Sequence, residues 1–470
     1  MFTITMADMN AIKYLSLAAV LIILVSAGYL GYFLSRVAPL ASGFAAHAFC
    51  SNFFIAKRQF EDIEQFDLPV EQQLLTRSSV DGNTVTTDFG IWPVNYTSIS
   101  VYRPGLGCGQ LAGGVMTNLE GPPSIARALP ERLPDALAWP TLSTEGVDTE
   151  ALNDVLDRAF SDTAPAYADR KNTRAVVIFH RDQLIAERYA DGFDATTPQN
   201  SWSMTKSATS ALIGILVRDG RLNLQDAAPI REWQNPADPR RQVTTEDLLF
   251  MVSGLEFNEG YEGDPVSDVN RMLMNSRDLA AFAASFPVTA EPGTRWSYQT
   301  ASSVLLGRII RETLTDDDAY YHFAQQELFN RLGARHSHYQ ADGAGNYVGG
   351  AFLYATPRDW ARFGLLYLGD GVFAGQRILP EGWVAYSTAP TPASLEARAY
   401  GAQFWLNTRG ENQWMPAVPE DAYAARGHYG QSVIIIPSRQ LVVVRMGQTF
   451  NPGAWDTEAF LVELLDALPT

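Results

Sequence analysis

The sequence contains few lysines. Only Lys13, Lys57, Lys171 and Lys206 occur among its 35 basic residues, and all the others are arginine. Arginine stays protonated in proteins, so it can bind anions but cannot accept a proton as a base. From Glu145 onward, Lys171 and Lys206 are therefore the two lysines that can act as a base.

Positive charge is also scarce overall, since the formal net charge is -17 at pH 7. Nucleic-acid binding requires a basic surface, so we expect no DNA or RNA partner. The acidity can equally serve solubility alone. Hydrophobic residues make up 46% of the chain and charged residues 19%, a balance that indicates a globular protein. The length of 470 residues allows one large domain or two ordinary ones.

Cysteine is rarer still, with only Cys50 and Cys108 in the chain. Neither has the His and acidic neighbours expected of a catalytic thiol or a zinc ligand, so we expect no metal site and no cofactor. In an oxidising compartment the two cysteines could form a disulfide that ties down the N-terminal part of the chain. Two unrelated buried thiols are the alternative.

Charge is absent from residues 14–34 (YLSLAAVLIILVSAGYLGYFL). This length suffices to cross a bilayer as a helix, so we predict a transmembrane anchor or signal segment at residues 12–34. As an anchor it would hold the following chain at the periplasmic side of the inner membrane. A cleaved signal peptide, with residues 46–48 (AHA) as the cleavage site, would instead export the chain. A buried core helix is the third alternative.

Residues 35–145 are interpreted as an N-terminal extension and linker. Short apolar runs in the extension are interrupted by Gly and Pro clusters, which indicates irregular, β-leaning structure. Five prolines within residues 121–140 are typical of a linker or a wrapping segment. The region at 146–470 follows and has the pattern of a compact domain.

The domain at residues 146–470 has strand patterns near both ends and helical patterns between them. Helices are predicted over 147–160 and 457–468, and strands over 175–179, 184–189, 433–436 and 441–445. We therefore predict an α+β fold, in which an antiparallel β-sheet flanked by helices is closed by N- and C-terminal segments and carries a helical insert.

Within this domain, residues 202–220 (WSMTKSATSALIGILVRDG) combine a Ser-x-x-Lys motif with a helical pattern. Small and aliphatic residues recur at helical spacing after the motif, and Gly220 suits the helix end. Ser203 is thus expected at the helix start, with Lys206 three residues on and facing the same way. Free backbone N–H groups there favour an oxyanion. The alternative is that Ser203 only caps the helix and Lys206 is solvated.

Two later segments add chemistry to this motif. Tyr298 lies between a Pro-Gly turn and an apolar helical run, and His428 and Gly430 precede a strand. Together the Ser-x-x-Lys, Tyr298 and His-x-Gly segments resemble the serine β-lactamase and penicillin-binding superfamily. The similarity is greatest to class C β-lactamases and the related esterases and 6-aminohexanoate-dimer hydrolases, and it covers roughly residues 147–465.

The resemblance implies a role for each matching residue. Ser203 would be the acylated nucleophile, and Lys206 and Tyr298 would share proton transfer, with the acylation base left open. The backbone N–H groups of Ser203 and Gln431 would form the oxyanion hole at the strand that follows His428 and Gly430. Substrate binding would therefore involve His428, Gly430 and Gln431.

This sequence departs from the superfamily pattern at two places. Thr300 stands where β-lactamases and peptidoglycan enzymes usually have Asn, and His428 stands where they have the Lys of Lys-Thr-Gly. No lysine follows Lys206, and a neutral histidine holds the carboxylate of a β-lactam less well. We therefore expect a small-molecule ester or amide substrate. A penicillin-recognising carboxypeptidase or β-lactamase, and a catalytically inactive binding or sensory protein, are the alternatives.

The helical insert around residues 257–286 is expected to shape the substrate pocket. It includes Tyr261, Asp264 and Asp268, whose polar side chains are candidates for that role.

Overall fold

The N-terminal part of the molecule is dominated by one long helix. The structure is a computed structural model that describes residues 6–111, 125, 135–260 and 263–469. Helix α1 (Met6–Phe54) contains 49 residues. Within the described residues it is the one helix long and apolar enough to cross a membrane, and an 18-residue stretch of it has a mean hydropathy of 2.2. Its side chains from 13 to 30 are all exposed, and most are buried from Ala38 onward.

Helix α1 does not end at the close of the charge-free run. The expectation of irregular structure directly after residue 34 was wrong, because residues 35–54 continue the helix and bury apolar side chains such as Leu40 and Phe49. These residues are rich in alanine and aliphatic side chains, which favour a helix once one face is covered. The apolar segment and the start of the extension therefore form a single element.

A four-stranded antiparallel sheet covers the buried half of α1. Cys50 of α1 and Cys108 of the sheet form a disulfide, with their Cα atoms 6.1 Å apart. The two cysteines therefore form a disulfide and are not two unrelated thiols, and this disulfide fixes the helix to the sheet. The elements of this region are α2 (Phe60–Asp62), α3 (Val70–Leu75), β1 (Thr76–Asp81), β2 (Thr84–Ile91), β3 (Val94–Arg103) and β4 (Gly107–Leu111).

The strands of the larger region follow. They are β5 (Thr173–His180), β6 (Gln183–Tyr189), β7 (Gln199–Asn200), β8 (His338–Tyr339), β9 (Leu353–Ala355), β10 (Val372–Phe373), β11 (Gln376–Arg377), β12 (Trp405–Leu406), β13 (Tyr423–Gly427), β14 (Gln431–Ile436) and β15 (Leu441–Gly447).

The helices of this region are as follows. They are α4 (Thr149–Phe160), α5 (Thr205–Arg218), α6 (Thr245–Leu249), α7 (Asp268–Asn275), α8 (Leu279–Ala284), α9 (Thr300–Leu314), α10 (Asp317–Ala324), α11 (Asn330–Leu332), α12 (Pro357–Leu368), α13 (Trp383–Ser387), α14 (Pro392–Ala397) and α15 (Thr457–Asp466).

The larger region is built on a six-stranded antiparallel sheet in the order β12-β13-β14-β15-β5-β6. The early strand β5 pairs with the late strand β15, so the two ends of the region meet in one sheet. This confirms the predicted α+β fold and its closure by N- and C-terminal segments. The predicted helices and strands at both ends are present, with bounds that differ by a few residues.

Both faces of this sheet are covered by helices. Along β5 and β14, which lie on either side of β15, Val176 and Ile434 face one side of the sheet, and Val177 and Val433 face the other. One face packs against α4 and α15, and the other packs against α5 and α12. Burial of each such side chain contributes roughly 1.5–3 kcal/mol relative to exposure, which holds the layers together.

The start of α5 is held against the sheet by close contacts around Ser201. The Ser201 backbone N–H donates to Leu353 O at 2.9 Å, and Trp360 Nε1 donates to Ser201 Oγ at 2.8 Å. A Cβ atom on Gly427 would lie 2.3 Å from Ser201 O, so only glycine permits this approach of β13. The turn that follows β13, with His428, is thereby brought beside Ser203.

Two of the sequence predictions concern residues outside those that the structure describes. Most of the proline-rich segment at 121–140 belongs to this group, and so does Tyr261.

Candidate active site

Ser203 lies in a single 3-10 turn, Trp202–Met204, that leads directly into α5. The residue before it, Trp202, has a φ of 45°, a left-handed conformation that is uncommon for a bulky side chain. Such strained positions concentrate at functional sites, where the surrounding structure enforces them. Here the strained turn presents the half-buried Ser203 at the wall of a cavity of about 680 Å³.

Lys206 is the side chain that contacts Ser203 directly. Its Nζ donates to Ser203 Oγ at 3.1 Å, to Thr300 Oγ1 at 3.0 Å and to Gly350 O at 2.9 Å. These three acceptors satisfy all three protons of an ammonium group. The neutral amine would keep two of these bonds as a donor and could accept the Ser203 proton with its lone pair.

The environment of Lys206 favours that neutral form. Its side chain is buried, with 1% exposure, and burial lowers the pKa of Lys206 to about 8, although the Glu259 carboxylate acts in the opposite direction. A lysine with such a pKa is neutral in roughly a tenth of molecules at pH 7 and in about half near pH 8. This is the property that a general base requires.

Glu259 completes a chain of polar contacts behind Lys206. Its carboxylate accepts the backbone N–H of Thr300 at 2.8 Å and also accepts a short hydrogen bond from Thr300 Oγ1. Burial raises the pKa of Glu259, whereas Lys206 and Thr300 lower it. Thr300 thus links Glu259 to Lys206, and Lys206 links Thr300 to Ser203. Glu259 was not identified from the sequence.

Tyr298 faces Lys206 with its aromatic ring. The Lys206 Nζ lies 5.0 Å from the ring centroid, within the range of a cation–π interaction. The ring also contacts Trp405 and Tyr400, with centroid distances of 5.1 Å and 5.8 Å. The structure therefore brings Tyr298 to Lys206, and its role in proton transfer stays a prediction.

His428 lines the cavity together with Ser203 and Thr300. Its ring packs at 3.8 Å from Tyr429 and at 5.6 Å from Trp202, measured between centroids. Desolvation lowers the pKa of His428 to about 4, so the imidazole is neutral at physiological pH. A neutral ring can orient a substrate by hydrogen bonding but cannot supply a positive charge.

Gly430 and Gln431 lie next to the site but outside the wall of the cavity. Gly430 has a φ of 82°, and a Cβ atom there would lie 2.3 Å from a guanidinium nitrogen of Arg445, so glycine is required for packing. The Gln431 side chain bonds to both backbone groups of Gly447. The Gln431 side chain is thus engaged in packing, and the contribution of its backbone N–H to an oxyanion hole stays a prediction.

Four residues of α1 form part of the cavity wall. They are Val37, Leu40, Ala41 and Phe44. The neighbouring helix α7 contributes Val269, Asn270, Leu273 and Met274, and Pro265 precedes α7. The helical insert therefore shapes the pocket as predicted, but neither Asp264 nor Asp268 lines it. Within the described residues, no group of three or more His, Cys, Asp or Glu side chains could hold a metal ion.

A family model described as Beta-lactamase matches residues 163–467, which is more than half of the chain. The chain belongs to the beta-lactamase family. Among relatives, the 6-aminohexanoate-dimer hydrolase of Paenarthrobacter ureafaciens is 22% identical over 293 residues, covering 60% of this chain and 74% of that protein.

Solved structures of related proteins share the beta-lactamase-like fold. A Bacillus anthracis protein assigned to the 6-aminohexanoate-dimer hydrolases has 24% identity and a TM-score of 0.56, covering 72% of this chain and 90% of its own. EstCE1, a hydrolase with promiscuous acyltransferase activity, has 15% identity and a TM-score of 0.54, covering 68% of this chain and 98% of its own. The wall formed by α1 lies outside the family match.

Proposed function

We propose that this chain is an exported, membrane-anchored serine hydrolase that cleaves an ester or amide bond through an acyl-enzyme on Ser203. The observation that carries the proposal is the 3.1 Å contact between Ser203 Oγ and Lys206 Nζ at the cavity wall. A protein that only binds a ligand needs neither a strained serine turn nor a buried lysine with a lowered pKa.

The geometry supports Lys206 as the base. Ser203 Oγ attacks the carbonyl carbon while Lys206 Nζ takes its proton. The bond to the leaving group then breaks, and the proton passes to the leaving oxygen or nitrogen, from Lys206 or through Tyr298. Water next attacks the acyl carbon and gives up a proton to Lys206. The bond between that carbon and Ser203 Oγ then breaks, Ser203 Oγ takes the proton back from Lys206, and the acid leaves. The backbone N–H groups of Ser203 and Gln431 would stabilise the oxyanion in both steps.

The charge of the cavity supports a substrate without a carboxylate. Among the described residues that line it, none is Lys or Arg, whereas Glu71, Asp169 and Glu259 are acidic. His428 supplies no positive charge because its pKa is lowered to about 4. A β-lactam carboxylate would find no cationic partner on this wall, which favours neutral esters or amides.

Two features of the N-terminal region support export with an intact anchor. The Cys50–Cys108 disulfide is typical of proteins that fold in an oxidising compartment. Ala46 and His47 are buried, with 0% and 4% exposure, so cleavage at residues 46–48 would cut α1 inside its packed half. An uncleaved α1 keeps both its exposed apolar half and its packing against the sheet.

Labelling of the purified full-length chain with a fluorophosphonate tests the proposal, because this reagent reacts with activated serines. We expect covalent modification at Ser203, located by peptide mass spectrometry, and none in Ser203→Ala. Ser210→Ala is the matched control, since Ser210 lies two turns further along the same helix and is fully buried. This control is expected to label as the wild type does.

Absence of labelling at Ser203 in the folded chain would contradict the proposed function. A fluorescent penicillin added in parallel separates the two hydrolase classes. Efficient acylation of Ser203 by the penicillin would favour a penicillin-recognising enzyme instead.

A further inference from the structure

One face of α1 connects the membrane segment to the catalytic cavity. Val37, Leu40, Ala41 and Phe44 are spaced at i, i+3, i+4 and i+7, so they share one side of the helix, and all four line the cavity. The charge-free run of the same helix ends at Leu34. A helix rises about 1.5 Å per residue, so the wall begins about 4.5 Å beyond that run and ends about 15 Å beyond it.

These lengths place the cavity at the membrane surface. The 21 charge-free residues span about 32 Å, close to the hydrocarbon thickness of a bilayer, and the headgroup layer adds roughly 5–7 Å on each side. With residues 14–34 in the hydrocarbon core, the first part of the cavity wall lies within or directly above the headgroups. A molecule that leaves the bilayer along α1 would meet this wall first.

The α1 wall is fixed in place. A Cβ atom on Gly43 would lie 1.9 Å from Met274 O, so α1 and α7 are in backbone contact there. Gln110 Nε2 donates to Gly43 O at 3.0 Å, and the Cys50–Cys108 disulfide secures the end of the helix. Phe44 in turn stacks on Trp202, the neighbour of Ser203, at a centroid distance of 6.1 Å. The wall and the nucleophile are therefore rigidly related.

A second group of apolar side chains lies at the same level of the helix. Ile91 and Val94, at the tip of the β2–β3 hairpin, pack on the same small cluster of α1 and β2 residues as Leu34 and Val37 do. Trp92 lies between them in the chain and is 89% exposed. Tryptophan is enriched where proteins meet the headgroup layer, because its ring is apolar and its N–H is polar.

The exposed side chain of Leu74 extends this surface. Leu75, its neighbour in α3, belongs to the same cluster as Val37, and Leu74 itself is 72% exposed. Exposed apolar residues are costly in water but favourable in a membrane interface. With residues 14–34 in the bilayer, Trp92 and Leu74 would meet its headgroup layer, and these two exposed side chains are called the patch below.

We propose that the substrate is a neutral long-chain acyl ester that resides in the bilayer. Its chain lies in the cavity along the wall formed by α1 and α7, where Leu40, Phe44 and Leu273 contact it, and its carbonyl reaches Ser203. Ser203 Oγ forms the new ester, the original C–O bond breaks, the alcohol leaves with the serine proton, and water releases a fatty acid. This inference rests on the proposed serine hydrolase function and on the membrane anchor.

The test uses the full-length chain in phosphatidylcholine vesicles and two esters with the same leaving group. These are p-nitrophenyl palmitate, which partitions into the bilayer, and p-nitrophenyl butyrate, which is soluble. We expect the wild type to turn over the palmitate at least as efficiently as the butyrate, measured as kcat/KM. Trp92→Ser with Leu74→Ser is expected to lower palmitate turnover at least fivefold and to leave butyrate turnover unchanged, because neither side chain lines the cavity.

Two further variants sharpen the test. Leu40→Trp fills the α1 wall and is expected to lower the ratio of palmitate to butyrate turnover at least tenfold, with fluorophosphonate labelling of Ser203 as the check on folding. Leu395→Ser removes an apolar side chain that is 47% exposed and lies outside the patch, and it should change neither rate.

Several results would overturn the inference. One is a wild type that hydrolyses the butyrate but turns over the palmitate tenfold more slowly. Another is an equal loss of turnover of both esters in the Trp92→Ser, Leu74→Ser variant. The third is labelling of Ser203 without hydrolysis of either ester. Absence of both labelling and hydrolysis would contradict the proposed hydrolase function itself, so the two failures are distinguishable.

Discussion

The two walls of the cavity differ in chemistry and in origin. The polar wall, with Ser203, Thr300 and His428, comes from the region that matches the beta-lactamase family. The apolar wall includes Val37 and Phe44 of α1, which lies before that region. The polar wall carries the reactive groups of the proposed reaction, and the apolar wall would contact the acyl chain of the proposed substrate. The apolar wall also includes Leu273 and Met274 of α7, which lie inside the family match, so only its α1 part comes from outside that region.

The largest effect is expected at the polar wall. Lys206→Met removes the amine that contacts Ser203 and should lower kcat/KM about 10²–10⁴-fold, the range for loss of a proton-transfer group. Lys171→Met is the matched control, because Lys171 Nζ donates to the backbone carbonyls of Arg158 and Ser161 near α4. Ester hydrolysis at pH 7.5 measures both. A similar kcat/KM in Lys206→Met and wild type would show that Lys206 does not transfer the proton.

Loosening the attachment of the apolar wall is expected to have the next largest effect. Replacing Cys50 and Cys108 by Ser removes a cross-link between residues 58 positions apart, worth about 4 kcal/mol by the chain-entropy relation. We expect a lower Tm for the N-terminal region and a larger loss on long-chain esters than on butyrate. Thermal unfolding and the two ester assays check this. Equal losses on both esters would show that α1 does not select the substrate.

The Glu259 carboxylate is expected to have a smaller effect, by shifting the pKa of Lys206 in the polar wall. Its charge raises the pKa of Lys206, so Glu259→Gln should lower that pKa and move the acid limb of the kcat/KM profile towards lower pH. Gln keeps an acceptor for the Thr300 backbone N–H. Glu256→Gln, at an exposed position in the same segment, is the control. An acid limb that stays in place, or moves to higher pH, would contradict the link between Glu259 and Lys206.

The smallest effect is expected from the charge of His428. Because its pKa is lowered to about 4, this group does not titrate near neutral pH. His428→Gln should therefore leave the shape of the pH profile between about pH 6 and 9 unchanged, even if KM shifts severalfold. An inflection near pH 6.5 that disappears in His428→Gln would show that the imidazole is protonated in the working enzyme.

Local patterns made much of the fold predictable. The apolar stripe after Ser203 and the strands near both termini follow from periodicities of 3.6 and 2, and each is present. The proximity of Ser203 and Lys206 follows from their spacing in one helical turn, because residues three apart lie on the same side of a helix. Such features depend on neighbours in the chain.

Features that depend on distant contacts were not predictable in this way. Glu259 is linked to Lys206 by hydrogen bonds through Thr300, and no spacing in the sequence relates the three residues. The continuation of α1 past Leu34 depends on the sheet that covers it. The sequence pattern therefore did not predict that α1 forms part of the cavity wall. Trp202, with its positive φ, likewise contacts Phe44 of α1 and His428, two residues that are far from it in the sequence.

The pH dependence of fluorophosphonate labelling at Ser203 tests the central claim most directly, because it reports the activation of the serine without a known substrate. The account predicts a second-order labelling rate that rises with pH through an apparent pKa of about 8 and falls at least a hundredfold in Lys206→Met. A rate that is independent of pH between 6 and 9, or equal in Lys206→Met and wild type, would contradict it.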